Sequence, residues 1–177
     1  MKKEIKAFLN TVKSAIKFIT GVKLEGVLKA EKIYWKDGVE IRREVCFEDK
    51  NLITLSAKQV ILSAIYLSNQ VSDPITSLKI GTGGTIDPQG LYPKPVSQTM
   101  TDLFTPLLNV TTSYTLNNAV PSVTFIADVD QGTANGALIT EAGLFKASNT
   151  IFNVKTFPGI SKTSEFSVHF EWVIKMA

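Results

Sequence analysis

Few residues in this chain are equipped for chemistry. There is one histidine, His169, and one cysteine, Cys46. They stand far apart in the chain and share no paired ligand spacing, which argues against a zinc site. Asp128-Val129-Asp130 has the alternation of a calcium loop's first ligands. Neither the loop glycine nor a later bidentate glutamate follows at loop spacing, so the stretch reads as a strand end entering a solvated turn. His169 falls on the less apolar side of a strand, and no serine sits in a nucleophile-elbow pattern. It reads as an exposed or interface histidine, and Cys46 as a small buried hydrophobe. Gly81-Thr82-Gly83-Gly84-Thr85 has the glycines of a phosphate cradle. Such a loop runs into a helix and offers a lysine after its last glycine; here Ile86-Asp87-Pro88 follows, and the loop reads as a turn closing a strand.

The remaining candidate is Glu141, in the apolar stretch Ile139-Thr140-Glu141-Ala142-Gly143-Leu144-Phe145. A catalytic pair requires a second carboxylate at matched depth, and the sequence nominates none. Strict alternation puts Ile139, Glu141 and Gly143 on one face. Gly143 points to a bulge or a close backbone approach. Glu141 is therefore expected to accept hydrogen bonds from exposed backbone amides or a lysine, fastening a strand. No catalytic residue, metal ligand or cofactor is assigned.

The elements that must hold these residues come from a chain of 177 residues, 44% hydrophobic and 20% charged, enough to bury a sizeable core. A single cysteine excludes an internal disulfide and fits a reducing cytoplasm. No apolar run is long enough for a membrane span, and the start lacks a secretory signal pattern. The net charge of +3 is uneven: residues 1–23 carry six Lys and one Glu, and the remainder is slightly acidic. Arginine occurs only at Arg42 and Arg43, which argues against nucleic-acid binding.

Residues 3–20 read as an amphipathic helix, with Ile5, Phe8, Leu9, Val12 and Ile16 on one face and lysines largely off it. It packs on its own domain, serves as a docking arm, residues 1–22, for a neighbouring subunit, or, as its lysines permit, lies on a membrane surface. Residues 24–35 and 39–47 read as a hairpin across Lys36-Asp37-Gly38, followed by a polar loop at 48–51. A second helix is expected over 56–68 with Ser56 as N-cap, then a strand over 75–80. The Gly/Pro-rich segment 81–96, which includes Tyr92, reads as a long loop, and 97–104 as one or two helical turns. Val110, Thr112, Tyr114 and Leu116 alternate as one strand, and Val123 to Val129 as another. Leu138–Phe145 and Thr150–Phe157 form a hairpin. In the last strand, 165–176, Phe166, Val168, Phe170, Trp172 and Ile174 share one face, which places Trp172 at the centre of the core. The expected fold is mainly β: a β-sandwich-like domain, residues 23–177, with an N-terminal amphipathic helix and a second internal helix.

The order Ile80-Gly81-Thr82-Gly83, a Pro-containing loop, Ile139 to Phe145, Phe152-Asn153-Val154-Lys155-Thr156-Phe157, Lys162-Thr163 and Phe170-Glu171-Trp172-Val173-Ile174 resembles a group of tailed-bacteriophage virion proteins. These are small β-rich proteins of tails, collars, baseplates and fibre attachments. The resemblance covers about residues 24–176. It implies a non-enzymatic part of a particle assembled in a bacterial cytoplasm. Its partners would be copies of itself and portal, neck, tail or fibre proteins, with no nucleic acid. The expected docking surfaces are the face of Ile5, Phe8, Leu9, Val12 and Ile16, and the loop around Tyr92; Glu141, Gly143 and Trp172 are structural. The alternative is a carbohydrate-binding β-sandwich module with Trp35, Tyr66, Tyr92 and Tyr114 as stacking side chains.

Overall fold

The computed structural model of the chain describes residues 24–57, 73–117 and 119–176. The expected helix over 3–20, with Ile5, Phe8, Leu9, Val12 and Ile16, lies outside the described residues, as do Tyr66 and most of the expected internal helix. The described strands are β1 (Leu24–Lys36), β2 (Val39–Lys50), β3 (Leu52–Ile53), β4 (Ile75–Gly81), β5 (Pro106–Thr111), β6 (Ser113–Asn117), β7 (Ser122–Val129), β8 (Leu138–Lys146), β9 (Ile151–Ser161) and β10 (Phe166–Met176). They form two five-stranded antiparallel sheets, ordered β2-β1-β10-β7-β6 and β3-β9-β8-β4-β5. Among the described residues, no helix is long and apolar enough to cross a membrane.

One apolar core joins the sheets. The first contributes Leu28, Ala30, Phe125, Ala127, Phe170 and Trp172; the second contributes Leu78, Ile80, Ile139, Ala142, Leu144 and Phe157. The Phe157 ring reaches across to Phe47, at 4.4 Å between centroids, and to Phe170, at 6.5 Å. Strand β10 is central because its period-two apolar row faces this core while its backbone pairs with β1 and β7. Trp172 is fully buried, and with the Asn153 amide assigned so that its oxygen faces the indole, that oxygen accepts from Trp172 Nε1 at 3.2 Å. A buried indole N–H without such a partner would be costly.

The first hairpin turns at Asp37 and Gly38, whose φ values of 53° and 78° are both left-handed. A two-residue turn of this kind matches the twist of its flanking strands.

Several local expectations are corrected. Residues 48–50, expected as loop, continue β2, because β1 extends alongside and pairs Lys29 with Glu48 and Leu28 with Asp49. The helical turn over 55–57 is capped by Thr54, not Ser56: the Ala57 N–H donates to Thr54 Oγ1 at 3.3 Å. Ser56 Oγ instead donates to the Ile151 carbonyl at 2.7 Å. Residues 97–104 hold a turn in which the Met100 N–H donates to the Ser97 carbonyl, not helical turns. The run from Val110 to Leu116 is not one strand. It breaks at Thr112, and β5 pairs with β4 in one sheet while β6 pairs with β7 in the other.

A second, smaller cluster lies on the far face of the β9-β8-β4 sheet. Phe145, Ile151, Val154 and Leu103 are buried there, with Leu52, Val96 and Met100 packed against them. Segment 82–105 supplies Val96, Met100 and Leu103, so a loop covers this face. That is why β8 is buried on both sides.

Candidate functional site

Glu141 sits at the junction of β8 and this covering loop and is fully buried. A register shift between β8 and β9 falls between Ile139 and Glu141. The irregularity breaks strict alternation: Ile139 joins the main core with Ala142 and Leu144, while Glu141 turns to the loop side. The two do not share a face as alternation had suggested. Gly143 lies past the bulge and answers to close approach: a Cβ there would stand 3.0 Å from the Asn153 carbonyl oxygen.

The Glu141 carboxylate is taken up by backbone. Oε1 accepts from the N–H groups of Gly83 at 3.0 Å and Thr105 at 2.8 Å, and Oε2 from the Phe104 N–H at 2.9 Å. One side chain thereby pins both ends of segment 82–105. Gly84 N–H donates to Thr140 Oγ1 at 2.9 Å, and Thr82 N–H to the Thr105 carbonyl at 3.0 Å. The amides that a phosphate would need are thus engaged by the protein. The glycines are there for proximity: a Cβ on Gly81 would lie 2.5 Å from Glu141 Oε1 and from the Thr105 carbonyl, and one on Gly84 would strike the Thr140 carbonyl.

The loop is also held internally. Asp87 accepts from the N–H groups of Leu91 at 2.9 Å and Tyr92 at 2.7 Å. These bonds, the Leu91 one foremost, hold its carboxyl below the ordinary range. Ile86 N–H donates to the Tyr92 carbonyl, Lys94 N–H to the Gly84 carbonyl, and Gly159 N–H to the Gly90 carbonyl. Thr156 Oγ1 donates to the Lys94 carbonyl at 2.6 Å. On this fastened frame Ile86, Leu91 and Tyr92 are 69%, 61% and 63% exposed. Asp87 was not singled out by sequence reasoning, although Asp87-Pro88-Gln89-Gly90 carries the residues of a turn whose first side chain caps later amides.

The outer face of the first sheet carries the other cluster. Cross-strand register places Glu31 opposite His169 and His169 opposite Asp128. His169 Nδ1 lies 2.7 Å from Asp128 Oδ1, and Nε2 lies 3.3 Å from Glu171 Oε1. The Asp128 hydrogen bond raises the His169 pKa; burial opposes it and Glu171 adds to it. A histidine base needs a nucleophile on its free nitrogen, but the second nitrogen here faces a carboxylate. Glu31, 4% exposed in its side chain, accepts from Lys29 at 2.8 Å and Arg43 at 3.0 Å. Burial resists its charge, and these two bonds outweigh it to hold the carboxyl low. Ligand atoms of Glu31, His169 and Glu171 lie within 4.8 Å of one another, the spacing of a metal group. With Lys29 and Arg43 already neutralising Glu31, the arrangement is that of an ion-pair network.

Beside this row a groove of about 710 Å³ runs between the β1–β2 turn and residues 130–132, lined by Trp35, Glu40, Arg43, Asp128 and His169 among others. Trp35 Nε1 donates to Ser167 Oγ at 2.9 Å, which fixes the indole on the outer face. Tyr114 pairs with core residue Phe125 and so lies on the opposite face. Tyr92 is on the loop. The three described aromatic candidates therefore do not form one stacking platform. Cys46 is half-buried, and burial pushes its thiol pKa up.

Lys162 was missed in the sequence. It is 1% exposed, and its Nζ donates to the Gln131 carbonyl at 3.1 Å, Asn135 Oδ1 at 3.0 Å and the Thr163 carbonyl at 2.7 Å. All three ammonium protons have acceptors, so this buried lysine ties loop 130–137 to the connection between β9 and β10.

Compared with known proteins, the chain matches no family model, no curated protein and no solved structure.

Proposed function

We propose that this chain is a structural subunit of a tailed-bacteriophage particle, at the neck, tail or fibre attachment, working by docking and self-association without catalysis. The observation that carries the reading is the fastened loop 82–105. Glu141 spends its carboxylate on the loop's backbone, and the frame presents Ile86, Leu91 and Tyr92 to solvent. An apolar surface held in place before contact loses little entropy on binding. The order of motifs that resembles virion proteins runs through the same parts: Ile80 to Gly83, Ile139 to Phe145, and Phe152 to Phe157. On this reading the two sheets form a β-sandwich-like platform for the loop, and residues 1–22 are a second docking arm.

The test is incorporation. A Leu91→Asp/Tyr92→Asp chain is expected to fold as the wild type, since both side chains are exposed, and to be missing from purified particles. Particles carrying it at wild-type level would overturn the docking role of the loop.

A further inference from the structure

The two outer strands of the first sheet are built differently. Strand β2 carries Glu40, Arg42, Arg43, Glu44, Glu48, Asp49 and Lys50, and its register against β1 shifts twice. Charges and bulges on an edge discourage another strand from adding to it. Strand β6 reads Ser113-Tyr114-Thr115-Leu116-Asn117 and has no charge and no proline; its pairing with β7 runs without a shift. Among the described residues, β6 pairs on one side alone, and all five of its residues are exposed.

Its apolar side chains point the wrong way for solvent. Tyr114 pairs with Phe125 and Leu116 with Val123, both of which belong to or pack against the main core. Opposite residues of an antiparallel pair share a face, so Tyr114 and Leu116 lie on the core side. They are nevertheless 64% and 67% exposed, and the Tyr114 ring reaches Phe125 only at its margin, 6.4 Å between centroids. The cause is topological. The chain leaves the second sheet at Thr111, the end of that sheet's outermost strand, and re-enters the first sheet at Ser113. The first sheet thereby extends past its cover.

We propose that β6 is the contact through which two copies of this chain join, edge to edge and antiparallel, about a two-fold axis at Thr115. In that register Thr115 meets its own counterpart, Tyr114 meets Leu116 twice, and Ser113 meets Asn117 twice. Each pair is polar with polar or apolar with apolar, and no like charges meet. Thr–Thr and aromatic–aliphatic cross-strand pairs are favourable. Two Tyr114 and two Leu116 side chains then gather on the core side, where each copy alone leaves them wet. The contact is isologous and closes on itself. The charged β2 makes a poorer partner for this neutral strand than a second β6. The proposal deepens the self-association part of the reading above and rests on it.

Light scattering of the full chain across the micromolar range tests it. Expected is a concentration-dependent dimer for wild type and a monomer for Tyr114→Lys/Leu116→Lys, with unchanged circular dichroism. A second arm does not depend on that variant folding. Thr115→Cys in a Cys46→Ser background should give a disulfide-linked dimer on mild oxidation, because the two cysteines face each other. A wild type that stays monomeric overturns both this contact and self-association. A dimer that survives the lysine substitutions, or a Thr115→Cys chain that does not cross-link, overturns the β6 contact and leaves self-association standing.

Discussion

The backbone N–H of Phe104 donates to Glu141 Oε2 at 2.9 Å, joining two residues 37 apart in the chain. With the two amides on Oε1, this bond makes Glu141 the anchor of segment 82–105. Three of the carboxylate's roughly four lone-pair directions are thus committed to backbone amides of the loop.

Replacing Glu141 with Ala leaves the part-buried amides of Gly83, Phe104 and Thr105 without their acceptor. We expect a loss on the order of 1–3 kcal/mol, because a net hydrogen bond to a charged group is worth roughly 1.5–3 kcal/mol and water can reach part of these donors. Glu141→Gln keeps one acceptor oxygen and should lose less. Urea unfolding of both variants checks the order Ala worse than Gln.

Gly84→Ala tests whether the glycines serve proximity. The added methyl meets the Thr140 backbone, which cannot swing aside as a flexible side chain would. The expected cost is about 1–3 kcal/mol, as for other overpacked sites. Gly132→Ala, where a Cβ meets nothing within 4 Å, is the control and should be close to neutral.

His169 sets a pH dependence. Its folded pKa is raised, chiefly by the Asp128 hydrogen bond, above the ordinary value of about 6.5. The folded state therefore binds the proton more tightly than the unfolded state. This pair's stabilisation is complete below the unfolded pKa and is lost as pH rises through the raised folded value. As the chain's one histidine, it gives a single resolved imidazole titration by NMR. Asp128→Asn should shift that titration downward and flatten the thermal midpoint against pH over the same window.

Lys162→Met should destabilise the protein through the acceptors it abandons rather than through lost packing. Burial depresses the lysine's pKa, so its charge is held against desolvation by Gln131, Asn135 and Thr163. Losing three part-buried hydrogen bonds from a charged group costs on the order of 1–3 kcal/mol. The thermal midpoint should fall, and amide exchange should quicken over residues 131–137.

Which parts were legible follows from whether their cause is local. The β10 row and the Asp37-Gly38 turn announce themselves because alternation and left-handed φ are short-range properties. The both-sided burial of β8 was not readable as such, since its second cover comes from Val96, Met100 and Leu103, far away in the chain. The break at Thr112 is invisible because alternation continues through it; only the change of pairing partner from β4 to β7 reveals it. Lys162 reads as a solvent residue until the fold brings its acceptors together. Glu141's role as an acceptor for backbone amides was readable in kind, from an acid inside an apolar strand beside glycine. The identity of those amides, and the bulge that turns Glu141 away from Ile139, required the fold.

The central claim is that segment 82–105 is fixed in the free chain by Glu141, so that Ile86, Leu91 and Tyr92 stand ready for a partner. Residue-resolved amide hydrogen exchange on the wild type and Glu141→Gln measures this directly. The account predicts slow exchange at Gly83, Phe104 and Thr105 in the wild type and faster exchange at all three in the variant. Unprotected exchange of these amides in the wild-type chain would contradict it.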